Sequence, residues 1–238
     1  MGSARIATSS LLAALALTGA AVAGAPPVHI AMDVDGTDYD YFPAGSDAGG
    51  GYYNYVDSAS EGSFDATWNF LGSDSTVAFY TLISGNFTFT NNSDSTQTYD
   101  VWVILTTTPN ALPSKIGGSV AGGMTADSDG GTLATIDDET PLWSAYMDAA
   151  FQAGLIYDAS ASAGPFDSAS IGSDAFGQPI PDMDAGPLGS SIAVRLQFTL
   201  TAGDQASFTS VFVLESVPAP GALALLGLAA VVGRRRRA

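Results

Sequence analysis

The sequence predicts an all-β chain, folded as an antiparallel β-sandwich with long Gly- and Asp-rich loops and, at one place, a short helix. Three observations carry that expectation: apolar residues alternate with polar ones at period two, polar turns separate the runs, and no strand–helix–strand rhythm is present. Of the 238 residues 46% are hydrophobic and 10% aromatic, which suffices for a core, and the chain is long enough for one sizeable domain.

A first strand is expected over Val28–Val34. Phe64, Ala66, Trp68 and Phe70 alternate with Asp65, Thr67 and Asn69, and Phe87 and Phe89 alternate with Asn86, Thr88 and Thr90. Thr76–Ile83 is an aromatic and β-branched run that Ser84-Gly85 is expected to bend into the Phe87 strand. Val101–Leu105, with Trp102 inside it, is continuously apolar and reads as a central strand buried on both faces. Ile192, Val194, Leu196, Phe198 and Leu200 put one apolar face on Ser191–Thr201, with Arg195, Gln197 and Thr199 on the other. Ala206–Leu214 closes the set, and Ala202-Gly203-Asp204-Gln205 predicts a hairpin between the last two strands. Six or seven strands are expected in all. Thr140 as a cap, Pro141 at the first helical position and Leu142, Trp143, Tyr146, Met147, Ala150 and Phe151 at helical spacing predict an amphipathic helix, a further edge strand being the alternative. Phe42–Gly62, Ser114–Gly131 and Asp158–Gly189 read as loops.

The two ends read as addresses rather than as parts of the domain. Residues 1–23 have the form of a secretory signal peptide: Arg5, an apolar stretch from Leu11 to Val22, and a small-residue cleavage site at Ala21-Val22-Ala23. The other end reads Val217-Pro218-Ala219-Pro220, then an apolar stretch Gly221–Gly233, then Arg234, Arg235, Arg236, Arg237 and Ala238. Thirteen helical residues span roughly 20 Å, short of a hydrocarbon core of roughly 30 Å, so this transmembrane helix suits a temporary stop. The arginines favour the cytoplasmic side and leave the domain, about residues 24–216, outside.

A proline motif, a short apolar helix and a terminal arginine cluster, in that order, resemble the PEP-CTERM sorting signal. Ala219 stands where that family usually has Glu, so the tail is a Pro-Ala-Pro variant. The resemblance implies an exported protein of a Gram-negative-type bacterium, held briefly in the inner membrane, processed by an exosortase and delivered to the cell surface or extracellular matrix. It also implies an association with exopolysaccharide. Asn86–Thr106 and Phe198–Phe212 are similar to sandwich domains of other exported PEP-CTERM proteins.

Charge and composition exclude several functions. All 24 acids fall in the central domain against Lys115 and Arg195, a formal charge of −22 there. Nucleic acid is not an expected partner. With no Cys and one His, disulfides, thiolate metal sites and multi-His zinc sites are excluded. A serine triad would have to use His29, no G-x-S-x-G elbow accompanies it, and no phosphate-binding glycine loop is present. No two carboxylates stand out as an acid/base pair, so the chain reads as non-catalytic, a secreted hydrolase being a further alternative.

Two clusters are candidate sites. Asp33, Asp35, Asp38 and Asp40 surround Gly36 and offer oxygen ligands at alternate positions, which suits Ca²⁺; a solvated acidic turn is the alternative. Tyr52 and Tyr53, within a stretch that includes Tyr39, Tyr41, Phe42 and Tyr55, could stack on sugar rings or pack loop onto sheet. The functional expectation is a structural or adhesive surface protein, with a secreted carbohydrate-binding module, calcium-stabilised or not, as the alternative.

Overall fold

A computed structural model describes residues 24–75, 80–178 and 181–217. The expected signal peptide, the tail from Pro218 to Ala238 and part of Thr76–Ile83 lie outside these residues. The strands are β1 (Val28–Val34), β2 (Thr37–Tyr41), β3 (Ser46–Gly49), β4 (Tyr52–Ser60), β5 (Phe64–Ser75), β6 (Tyr80–Asn91), β7 (Gln97–Thr106) and β8 (Ser114–Thr125). They continue as β9 (Gly131–Ala134), β10 (Trp143–Met147), β11 (Ala150–Leu155), β12 (Ser160–Ala163), β13 (Ser168–Phe176), β14 (Met183–Ala185), β15 (Ser191–Leu200) and β16 (Gln205–Ser216). The described residues contain no helix, and hence none long and apolar enough to cross a membrane.

Two antiparallel sheets form a sandwich. Sheet A runs β11-β10-β15-β7-β1-β2, with β9 on β15 and β12 on β9. Sheet B runs β13-β8-β16-β6-β5-β4-β3, with β14 on β8. Between them lies one core whose centre is aromatic: Tyr99 stacks on Phe198 at 4.9 Å, and Phe198, Phe89 and Phe208 surround each other at 4.9–6.3 Å. Polar bonds also cross between the sheets: Trp143 Nε1 of β10 donates to Ser210 Oγ of β16 at 2.6 Å, and Asn91 Nδ2 of β6 donates to the Leu200 carbonyl of β15 at 2.9 Å.

Several expectations change. Residues 140–151 are not a helix but the β10–β11 hairpin, with β11 as the edge strand. Trp143, Ala145 and Met147 point inward at period two, and Asp148-Ala149 turn the chain with positive φ (47° and 63°). Asp137, just before the segment expected to be helical, accepts the backbone N–H groups of Glu139 and Thr140 in a turn, and the Thr140 side chain together with those bonds holds its carboxyl below the usual range. The expected β15–β16 hairpin does not form. The two strands lie in different sheets, and Asp204, fully buried, pins the crossing by accepting from Thr201 Oγ1 and from the Asp127 N–H. Ser84-Gly85 makes no bend. β6 runs straight through it, because a Cβ on Gly85 would stand 2.3 Å from Phe70 Cα and its absence lets β5 and β6 close up. The strand around Trp102 is buried on one face only, with Trp102 and Ile104 half-exposed on the other.

The three stretches read as loops supply β3, β4, β8, β12, β13 and β14. In β8 the inward set is Ser114, Ile116, Gly118, Val120, Gly122 and Met124. A Cβ on Gly118 would meet the Trp143 ring at 2.7 Å, so neighbouring aromatics fill the space that side chains of β8 leave open.

The outer faces differ. Across sheet B, paired positions read Thr67, Thr88, Ser207, Gly123 and Ser170 in one row and Asn69, Asn86, Thr209, Ala121 and Ser173 in the next, all uncharged. The middle rows of sheet A's outer face carry Asp33, Asp100 and Arg195 together with Trp102 and Tyr146. Both ends of the described chain leave from one pole: Thr106 N–H bonds the Pro27 carbonyl and Val217 N–H bonds the Pro113 carbonyl, next to the β7–β8 connection.

Candidate functional site

The site is built on sheet A by strand register. Asp40 of β2 lies opposite Ala31 of β1, Ala31 opposite Trp102 of β7, and Trp102 opposite Arg195 of β15. Ala31 is the one small side chain in that row. The gap above it is a trough of about 420 Å³, walled by Trp102 on one side and by Asp33, Asp38, Asp40 and Asp100 around it. The β1–β2 hairpin that supplies half the wall follows from Asp35-Gly36, a two-residue turn with both φ positive (51° and 79°).

Trp102 is held from its β15 side. The Arg195 guanidinium sits 4.7 Å from the indole centroid, and Tyr146 of β10 lies 4.6 Å away, tilted 45°. Arg195 is fixed in turn by a two-pronged pair with Asp100, Nε to Oδ1 at 2.7 Å and Nη2 to Oδ2, and that bond holds the guanidinium above its ordinary range.

The next row adds rings at both edges. His29 stacks on Phe42 at 4.7 Å and bonds Asp40 Oδ1 through Nε2 at 2.6 Å; at the far side Tyr146 meets Phe151 edge-on at 5.7 Å. Phe42 is 73% exposed and Phe151 53%. Phe42 with His29, and Trp102 with Tyr146 and Phe151, therefore form an interrupted aromatic band on one face, two groups of touching rings with Ala31 and Ile104 between them, over a sheet that measures roughly 24 Å from β2 to β11 at about 4.8 Å per strand spacing.

Of the four acids in the Asp33–Asp40 cluster, Asp33, Asp38 and Asp40 share the trough. Asp35 turns away to accept the Thr98 N–H at 2.8 Å. Asp33 accepts the Gly36 N–H at 2.7 Å, whereas Asp38 has no hydrogen-bond or ion-pair partner among the described residues. No three acidic or histidine side chains among the described residues are grouped so as to hold a metal ion. Tyr52 and Tyr53 are consecutive on β4, so their side chains leave on opposite faces and do not share one platform. Tyr52 is 37% exposed; Tyr53 packs against the core beside Tyr55. Tyr39 packs edge-on to Phe64 at 5.1 Å, and Tyr41 donates to Glu61 at 2.8 Å.

Trp102, Asp100, Arg195 and Tyr146 were not visible as a site in the sequence. The available signal was Arg195, one of two cations in the domain, placed on the polar face of an alternating strand.

No family model matches the chain, and no curated protein matches it. Among solved structures it is similar to that of TmCBM61 in complex with beta-1,4-galactotriose, at 7% identity and a TM-score of 0.26, covering 64% of this chain and 88% of that one.

Proposed function

We propose that this chain is an exported, non-catalytic β-sandwich that holds polysaccharide at the cell surface or in the extracellular matrix, with the aromatic band of sheet A as its contact surface. The observation that carries the reading is the band itself. Exposed and half-exposed aromatic rings share one face with hydrogen-bonding carboxylates, beside an open trough. Sugar rings present apolar faces and hydroxyl edges, and aromatic rings with acceptors alongside complement both. The sorting-type tail supports export, exosortase processing and a transient inner-membrane stage. Intact mass of the mature protein is expected to lack both ends, with the product outside the cytoplasm; recovery with Arg234–Arg237 still attached from an exosortase-bearing host overturns that part.

The binding test is a panel of soluble and insoluble polysaccharides probed by co-sedimentation and calorimetry. Trp102→Ala and Phe151→Ala are each expected to weaken binding about tenfold or more, roughly 1.4 kcal/mol, without loss of the sandwich's circular dichroism. Binding that survives both substitutions, or no binding to any polysaccharide, overturns the reading.

A further inference from the structure

We infer that the trough beside Trp102 selects a sugar bearing a protonated amine, so that the polysaccharide recognised is an amino-sugar polymer with free amino groups. The inference rests on the proposed polysaccharide binding and names its ligand class.

Register places three carboxylates directly opposite one another on adjacent strands: Asp38 faces Asp33, and Asp33 faces Asp100. Like charges at paired positions destabilise a sheet. Asp100 is neutralised by Arg195, and Asp40, one row on, pairs with His29. Among the described residues Asp33 receives one backbone N–H and Asp38 has no partner. Two carboxylates thus stand side by side without a counter-charge among the described residues, on the rim of a trough of about 420 Å³, and are not grouped so as to hold a metal ion. The wall opposite is Trp102, whose ring already accepts one cation, Arg195. An ammonium group entering the trough gains both carboxylates and the indole, while the sugar ring that carries it lies along the aromatic band. A uronate or sulfated chain would meet the same carboxylates as repulsion.

The test uses two oligosaccharides of equal length, a β-linked glucosamine oligomer with free amines and its fully N-acetylated form, titrated into the protein by calorimetry. The free-amine oligomer is expected to bind at least about tenfold more tightly, with an affinity that falls as salt rises. Asp38→Asn and the double substitution Asp33→Asn with Asp38→Asn are expected to bring the two oligomers within about threefold. Trp102→Ala is expected to weaken both. Both residues lie at the surface end of a hairpin, and removing like charge there is expected to raise Tm, so loss of preference cannot be loss of fold. Equal binding of the two oligomers by the unmodified protein overturns the inference and leaves polysaccharide binding standing. Equal binding of an oligolysine of matched charge also overturns it, since the site would then read charge alone. If neither oligomer binds while another polysaccharide does, the ligand class is wrong and the binding reading survives; if no polysaccharide binds, both fall.

Discussion

Asp204 is the residue on which the crossing between the sheets depends. Its carboxylate has no access to solvent and accepts from Thr201 and from the Asp127 backbone, while Asn91, equally buried, donates its amide to the carbonyls of Ser95 and Leu200 beside it. Asp204→Ala leaves those donors without an acceptor and is expected to cost about 1–3 kcal/mol, read from the urea midpoint at unchanged slope, with Asp204→Asn recovering part of it. Tyrosines set the alkaline limit. Burial pushes the Tyr55 phenol up to about 12, and burial likewise raises Tyr99 and Tyr41, the latter with help from its bond to Glu61. A pKa raised in the fold favours the neutral form. The contribution is therefore complete below the unfolded value of about 10 and is lost as pH climbs from there toward 12. Tm is expected to hold steady to about pH 10 and then drop, and a Tm independent of pH across that window would show that these phenols are not buried as described.

Strands were legible where large apolar residues alternate and illegible where the inward positions are small. β1, β5, β7 and β15 announce themselves through Val, Ile, Leu, Phe and Trp at every second place. β8 hides because Gly118 and Gly122 take inward positions under Trp143 and Phe208, and β13 hides because Ala169 takes an inward position and a bulge between Ser170 and Gly172 breaks the alternation. The β10–β11 hairpin resembles a helix in sequence because Trp143, Tyr146, Met147 and Ala150 fall at helical spacing while Trp143, Ala145 and Met147 fall at period two, and only the paired strand β15 decides between them. For the site, the Asp-Gly turn and three of its acids could be read from the sequence. Their partners Trp102, Asp100 and Arg195 lie sixty or more residues away and come together only through register. Gly85 tests the element scale directly. A methyl group there meets the backbone of Phe70, so Gly85→Ala must part β5 from β6 and is expected to cost at least the 1–3 kcal/mol typical of overpacking, measured as a lowered urea midpoint.

At the scale of the whole sandwich domain, a formal charge of −22 over about residues 24–216 is opposed by few internal pairs among the described residues: Arg195–Asp100, Lys115–Asp184 and, when the imidazole is protonated, His29–Asp40. Self-repulsion of this size is long-ranged and yields to screening. Tm is expected to rise by several degrees between low salt and about 0.5 M NaCl, then level off as the Debye length shrinks below the spacing of surface charges. A falling Tm would mean that the pairs outweigh the repulsion. The charge is also unevenly laid out, since sheet A's outer face holds the trough acids while the middle rows of sheet B hold none.

The arrangement of the chain ends has a mechanical result. The N- and C-terminal sides of the sandwich meet at one pole, where Pro27 and Val217 are stitched to the connection between β7 and β8, and the Asp35-Gly36 turn crowns the other. Any leash tied after Val217 therefore grips the domain by its foot. The ringed face then runs along the domain's flank, with its acidic end farthest from that foot.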